Sequence, residues 1–217
     1  MWASDDPYLC KHLATQFPTR DLTTPVRLCG EQRSFAGSRL FIDMIPSTAW
    51  YSNARSMIAP EDWDRVRIHV YRRVQWRCEC CGVDTRDRAN NTRMECHERW
   101  EWLGDGQRIG RQVLRRLVGL CRECHGATHY GLAELQGRAD DAMRHLVRVN
   151  RSSVAVERSN HAAAVMLWQQ RSMQQWEPDL SILTDGGIKI QDRRAARQDC
   201  ADGYAEDDYE FPSCVVQ

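Results

Sequence analysis

Lysine is nearly missing from this chain of 217 residues: of its 30 basic side chains only Lys11 and Lys189 are lysine, and the other 28 are arginine. Net charge is missing too, because 30 acidic residues balance the 30 basic ones. That excludes a protein that holds its partner through bulk charge of one sign. No long apolar run occurs: the longest, Ala162 to Trp168, falls far short of the roughly 20 residues that a membrane-spanning helix needs. The opening residues, Met1-Trp-Ala-Ser-Asp-Asp, show no basic stretch leading into an apolar one. A secretory signal is therefore not expected, and the chain reads as cytoplasmic with no membrane partner. Hydrophobic content of 42% and charged content of 28% are ordinary for a globular protein and exclude disordered or fibrous classes. At about 150 residues per domain, the length predicts one domain with extensions, or two small ones.

The arginine excess has two readings. A guanidinium matches phosphate geometry bidentately, but codon usage in a GC-rich genome explains the ratio more simply. Position is more telling. Between Trp63 and Tyr130 stand 14 arginines and 9 acidic residues, whereas residues 199 to 217 hold six acidic residues and no basic one. A mildly basic centre with an acidic tail suits contact with a phosphate backbone, the tail covering the centre in its absence.

Ten cysteines in a chain with no export signal point to metal or redox chemistry, not to a disulfide scaffold. Cys78, Cys80, Cys81, Cys96, Cys121 and Cys124 fall within 47 positions, while Cys10, Cys29, Cys200 and Cys214 are scattered outside and read as incidental thiols.

Residues 1–45 contain Pro7, Pro18 and Pro25 without sustained periodicity and read as an irregular N-terminal extension. A metal-built domain with a leading helix is expected over 46–131, with Trp50 as a core anchor. Pro60-Glu61-Asp62 opens that helix, and Trp63, Val66, Val70, Tyr71 and Val74 form its apolar face. A helical extension is expected over 132–190. One amphipathic helix runs from Leu132 to Val149, and another from Val154 to Trp176 is ended by Pro178. Leu180 to Ile190 reads as a strand pair turning at Asp185-Gly186-Gly187. The acidic stretch 191–217 is expected to be disordered.

Cys78-x2-Cys81 and Cys121-x2-Cys124 are two thiolate pairs separated by 39 residues. Each CxxC turn places both sulfurs on one side of a tight knuckle. Two facing knuckles complete a tetrahedral four-sulfur site, the closed geometry of structural Zn2+. Gly82 follows the first knuckle, where a permissive backbone is needed. Cys80 is the competing ligand, but its offset from Cys81 fits a knuckle poorly.

The histidines add a second chemistry. His125 and His129 are spaced i, i+4, which puts both on one helix face where they can grip one ion. His125 lies about 100° from Cys124 around a helix, so the neighbours can serve different metals. Met94-Glu95-Cys96-His97-Glu98-Arg99-Trp100 is long enough for a strand, with His97 and Glu98 on opposite faces. Trp100 and Trp102 beside it read as core cover more than as platforms for stacking bases.

The order CxxC, a strand with a His/acid pair, then Leu117-Val-Gly-Leu-Cys121-Arg-Glu-Cys124-His125 and His129 resembles the HNH endonucleases, over roughly residues 70–131. The stretch His97-Glu98-Arg99-Trp100 resembles the "HERW" variant of bacterial HNH-like proteins. The resemblance implies an α+β fold: a ββα-metal, treble-clef-like core stabilised by zinc and flanked by helices. It implies that His97 is the strand's metal ligand, with His125 and His129 as further ligands of a catalytic divalent ion such as Mg2+, Mn2+ or Zn2+. Two positions depart from the family pattern. Glu98 stands where the general-base histidine is expected, and Arg116 where an asparagine is usual. In an alternative register His97 is the base and Cys96 the ligand, a soft thiolate ill suited to magnesium.

Phosphodiester hydrolysis remains chemically open to this set. Glu98 can take the proton of the attacking water, and Arg116 can bind the charge that develops on phosphorus. The expected function is a metal-dependent endonuclease acting on DNA, as a homodimer where both strands are cut. The competing expectation is a non-catalytic zinc module that binds nucleic acid through its arginines. A third is a protein-interaction module regulated by the acidic tail.

Overall fold

The computed structural model describes residues 25–50, 52–104 and 109–191. The expected acidic tail contact, Cys10, Cys200 and Cys214 lie outside them. The chain is mixed helix and strand, α+β, around a small three-stranded sheet.

Strand β1 (Met94–Leu103) pairs antiparallel with β2 (Ile109–Cys121), and β3 (Gln175–Asp179) adds parallel to the far side of β2. β1 is thus an edge strand. The register pairs His97 with Val118 and Arg99 with Arg116, then shifts so that Trp100 faces Leu114. Arg115 is the extra residue of this bulge. Because side chains alternate across a strand, the inserted residue lets Leu114 and Leu117 enter the same core.

That first core holds Trp63, Val66 and Val70 of the helix Pro60–Arg73, with Trp100, Leu114 and Leu117 from the sheet. The helix starts as its sequence predicts, with proline at N1 and Glu61 and Asp62 in the first turn. We call it α2; α1 is the single turn Ala54–Met57 before it, capped by the Asn53 side chain. The opposite sheet face carries a second core: Leu40, Ile42, Val118 and Leu120 pack with Cys78, Cys121 and Cys124. Helices α3 (Arg122–Thr128), α4 (Tyr130–Leu135) and α5 (Ala139–Asn150) cover it. Residues 25–45 contain neither helix nor strand, yet Val26, Leu40 and Ile42 are buried, and Asp43 N–H donates to Thr128 O at 2.9 Å.

Four expectations are corrected. The helix expected from Leu132 to Val149 is two helices, because Gly137 takes a left-handed turn (φ +67°) between α4 and α5. α6 (Val154–Ser172) stops short of Trp176, and residues 175–179 become β3. The free edge of β2 offers hydrogen bonds that outweigh helical periodicity there, and Pro178 is tolerated because β3 is itself an edge. Residues 180–190 are not a strand pair. They form α7 (Ser181–Thr184) and a turn, with Ile190 making one bridge to Ile58. Trp50 is 47% exposed, and the adjacent Ala49 fills the interior instead. Trp100 does lie in the core, and Trp102 stacks edge-on against Trp176 at 4.9 Å. Among the described residues no helix is long and apolar enough to cross a membrane.

Candidate metal centres

The four predicted cysteines converge. One sulfur from each of Cys78, Cys81, Cys121 and Cys124 lies within 4.8 Å of all the others, so they can hold one metal ion such as zinc. The first knuckle is closed by Gly82 N–H to Cys78 O (2.9 Å), with Gly82 in the left-handed region (φ +76°) that favours glycine. Its tip is tied to β2 twice, by Glu79 N–H to Gly119 O and by Gly119 N–H to the Glu79 carboxylate at 2.7 Å. The second knuckle is the end of β2 and the start of α3, where Cys121 Sγ accepts from Cys124 N–H. Hydrogen bonds from Cys121 first, then Cys124, draw Cys78 well below the ordinary thiol range and Cys81 down to about 7. Cys121, drawn down by Cys124 but pushed up by Cys78 and Cys81, ends above that range, as does Cys124 through its bond to Cys121. The four sulfurs thus share protons that a metal, which binds thiolates, would displace. Cys80 stays outside the cluster, its thiol pushed up to about 12 by burial.

A second cluster lies on the same side of the sheet. His97 comes from β1, His125 from α3, and His129 from the residue that caps α3, its N–H bonded to His125 O at 3.1 Å. One ring nitrogen from each lies within 4.8 Å of the other two. The rings meet edge-on, with centroids 4.6 to 5.4 Å apart. Burial holds all three imidazoles in the neutral, ligating form: His97 is far below its usual range, His125 near 4 and His129 near 3. His97 is 3% exposed, and its Nε2 is buried without a hydrogen-bond partner. An orphaned buried nitrogen among two other neutral imidazoles is the donor set a divalent ion would satisfy.

The cluster opens into a cleft of about 930 Å³ whose walls include Asp43, Asn53, Arg55, Arg67, Arg93 and Trp168. Glu98 lines the same cleft although it faces away from His97, since an edge strand exposes both faces there. Its carboxylate caps α1, accepting from Ala54 N–H (2.8 Å) and Arg55 N–H (3.4 Å), and also from Trp100 Nε1 (3.2 Å). Burial raises Glu98 to about 7 against the pull of those donors. Cys96 packs against the first core, and its sulfur is not part of the histidine cluster, where the alternative register requires it.

Arg116 is not brought to the histidines either. It is 6% exposed and held through both terminal nitrogens: Nη1 donates to Phe35 O and Gly37 O, and Nη2 to Glu79 at 2.7 Å, while Nε is buried without a partner. Its partners belong to the first knuckle and the irregular segment, not to the cleft.

Sequence reasoning assigned no site role to three residues that the structure brings to these centres. Asp43 lies in a stretch without periodicity, yet it is buried beside the histidines with Arg99 at 3.9 Å. Burial raises its carboxyl, opposed by Arg99 and then Arg171. Arg99 in turn lies over the Phe41 ring at 3.9 Å. His145, on α5, places Nε2 3.1 Å from Cys124 Sγ, while Arg148 Nη2 lies 2.8 Å from its Nδ1. A guanidinium can only donate, so Nδ1 accepts and the proton sits on Nε2, aimed at the sulfur. The sole hint was that His145 shares the buried face of α5 with Ala142 and Leu146.

Compared with models of protein families, with curated proteins and with solved structures, the chain matches none of them.

Proposed function

We propose that the protein is an HNH-type, metal-dependent endonuclease hydrolysing phosphodiester bonds in DNA, with β1, β2 and α3 as a ββα-metal core. One observation carries this reading: three neutral imidazoles from β1 and α3 converge at the floor of an open cleft, beside a four-cysteine cluster. The cysteines would hold structural Zn2+. His97, His125 and His129 would hold a second divalent ion, which when bound polarises the scissile phosphate and stabilises the leaving oxygen. An all-imidazole set favours Zn2+, Ni2+ or another transition metal over Mg2+.

The remaining work falls to the chain. Glu98 is positioned as the base. Oε1 accepts from both Ala54 N–H and Arg55 N–H, whereas Oε2 accepts only from Trp100 Nε1 and keeps a second lone pair for the proton of water. A carboxyl near 7 is well matched to proton transfer at neutral pH. Arg116 cannot reach the phosphate from its buried pair, so the role expected of it passes to Arg55. That residue is exposed, lines the cleft, and follows the Ala54 that Glu98 caps. The cap itself favours the second reading, a non-catalytic nucleic-acid-binding zinc module, since a carboxylate committed to a helix N-terminus has an evident structural use.

Supercoiled-plasmid nicking with Mg2+, Mn2+, Ni2+ or Zn2+ tests the choice, run beside His97→Ala and Glu98→Gln. Nicking that disappears in both variants is the expected result. No nicking under any metal, in protein that retains its zinc, would leave the binding module as the function.

A further inference from the structure

Around the corner from the histidine cleft lies a second pocket, of about 390 Å³, lined by Arg86, Arg88, Arg93 and Arg122 with Asn91 and two threonines. No carboxylate and no aliphatic side chain contributes to its lining. The arginines come from three places. Arg86 and Arg88 stand on the loop between the first knuckle and β1, Arg93 immediately precedes β1, and Arg122 is the first residue of α3. Arg122 N–H donates to Arg93 O at 3.0 Å, which fixes these last two together.

The four guanidiniums are not equivalent. Asp84 grips Arg86 with both carboxylate oxygens at 3.2 and 3.0 Å, and Arg86 also lies 5.7 Å from the centre of the Trp76 ring. Arg93 is paired with Glu95. Arg88 and Arg122 are exposed, and among the described residues neither has a carboxylate partner. Two held cations beside two free ones give a concave surface with donors already oriented and charge left over. That combination suits an anion carrying several acceptor oxygens. Arg93 lines both this pocket and the histidine cleft, so the two adjoin.

We infer that this pocket seats a phosphate of the DNA backbone flanking the one at the histidine cluster, so that one strand runs from the cleft past Arg93 to Arg88 and Arg122. The inference rests on the nuclease reading for the direction of the strand. Its own content is the phosphodiester contact. The pocket is assigned to backbone because four guanidiniums surround it and no aromatic ring lines it to stack a base.

The test uses the full chain without added divalent metal, so that binding is read apart from cleavage. A short fluorescent DNA duplex is titrated with the wild type and with Arg88→Gln/Arg122→Gln, at several salt concentrations. Zinc content serves as the folding control. Loss of two phosphate contacts should lower the slope of log affinity against log salt by about 2 and weaken binding roughly tenfold or more. An unchanged slope and affinity in the double variant would overturn the proposal. So would a site that takes polyglutamate but not DNA, or one from which free phosphate displaces the duplex at equal concentration. A wild type that binds in this way but never nicks refutes the nuclease and keeps the pocket. Nicking that persists in the double variant with unchanged KM refutes the pocket and keeps the nuclease.

Discussion

The two clusters share one short helix and are otherwise opposites. α3 gives Cys124 to one and the adjacent His125 to the other. The cysteine cluster has four donors from two local turns and is walled by the second core, with Cys78, Cys121 and Cys124 all buried. Four thiolates leave no coordination position for anything else, which is the character of a structural site. The histidine cluster has three donors gathered from an edge strand and a helix end, and it faces a large cleft. An ion held by these three alone would keep a position for water or substrate, as reactive sites do. Closure and openness thus follow from where each ligand comes from.

The sharpest way to break the comparison is to remove one cysteine. Cys124→Ser should unfold the protein. Structural zinc contributes about 10–16 kcal/mol of apparent binding free energy in small zinc domains, and Leu120, Ala127 and Leu146 pack in the same core as these sulfurs. Zinc measured by mass spectrometry should fall below one ion per chain, and the cooperative thermal transition should vanish. A Cys124→Ser protein that keeps a sharp transition would show that the cluster is not structural.

Arg116 sharpens the comparison next, because it lies on the histidine face of the sheet but serves the cysteine knuckle. It is directly opposite Arg99, two residues along β1 from His97, yet its partner Glu79 is the residue after Cys78. Side chains of this pair are 7% and 14% exposed. Arg116→Ala leaves the carboxylate buried without its cation and should cost about 3–5 kcal/mol in urea unfolding. If stability is unchanged while nicking is lost, the residue belongs to the cleft after all.

This division also marks what could be read in the sequence. The cysteine site was legible because a CxxC turn fixes two ligands locally, and only their facing had to be supplied by the fold. α2 was legible from a proline start, and β1 from the stretch Met94 to Trp100, which the structure extends to Leu103. His125 and His129 could be paired by helical spacing. Their convergence with His97 depends on the antiparallel register that sets Met94 opposite Cys121, which spacing alone does not give. What stayed hidden depends on distant partners. β3 exists because β2 has a free edge, Asp43 is placed by an irregular segment crossing α3, and Arg116 is drawn away by Glu79. Helical periodicity around residues 132–149 concealed one left-handed glycine.

Removing a histidine should do what removing a cysteine does not. His97→Ala should keep one zinc and its thermal transition while losing the second ion. Co2+ titration followed by visible absorption separates the two, since thiolate and imidazole sites differ in their bands. Affinity at the second site should drop by more than the about 10–100-fold that loss of an outer-shell partner costs. Retention of two ions in His97→Ala would mean that the orphaned Nε2 is not a ligand.

The smallest expected effect is at His145, and it tests how completely the cysteine site is closed. With its proton fixed on Nε2 by Arg148, His145 donates to Cys124 Sγ and takes up part of the thiolate's charge. A sulfur so engaged is less basic and a poorer target for acid or oxidant. His145→Phe fills the same space without the donor. It should leave zinc stoichiometry unchanged while speeding zinc transfer from the cysteine site to a chromogenic chelator about tenfold, within the range for a lost outer-shell partner. Arg148→Met removes the group that sets the tautomer and leaves the ring in place, so it should give a smaller change in the same direction. Equal rates in all three proteins would mean that burial alone closes the site.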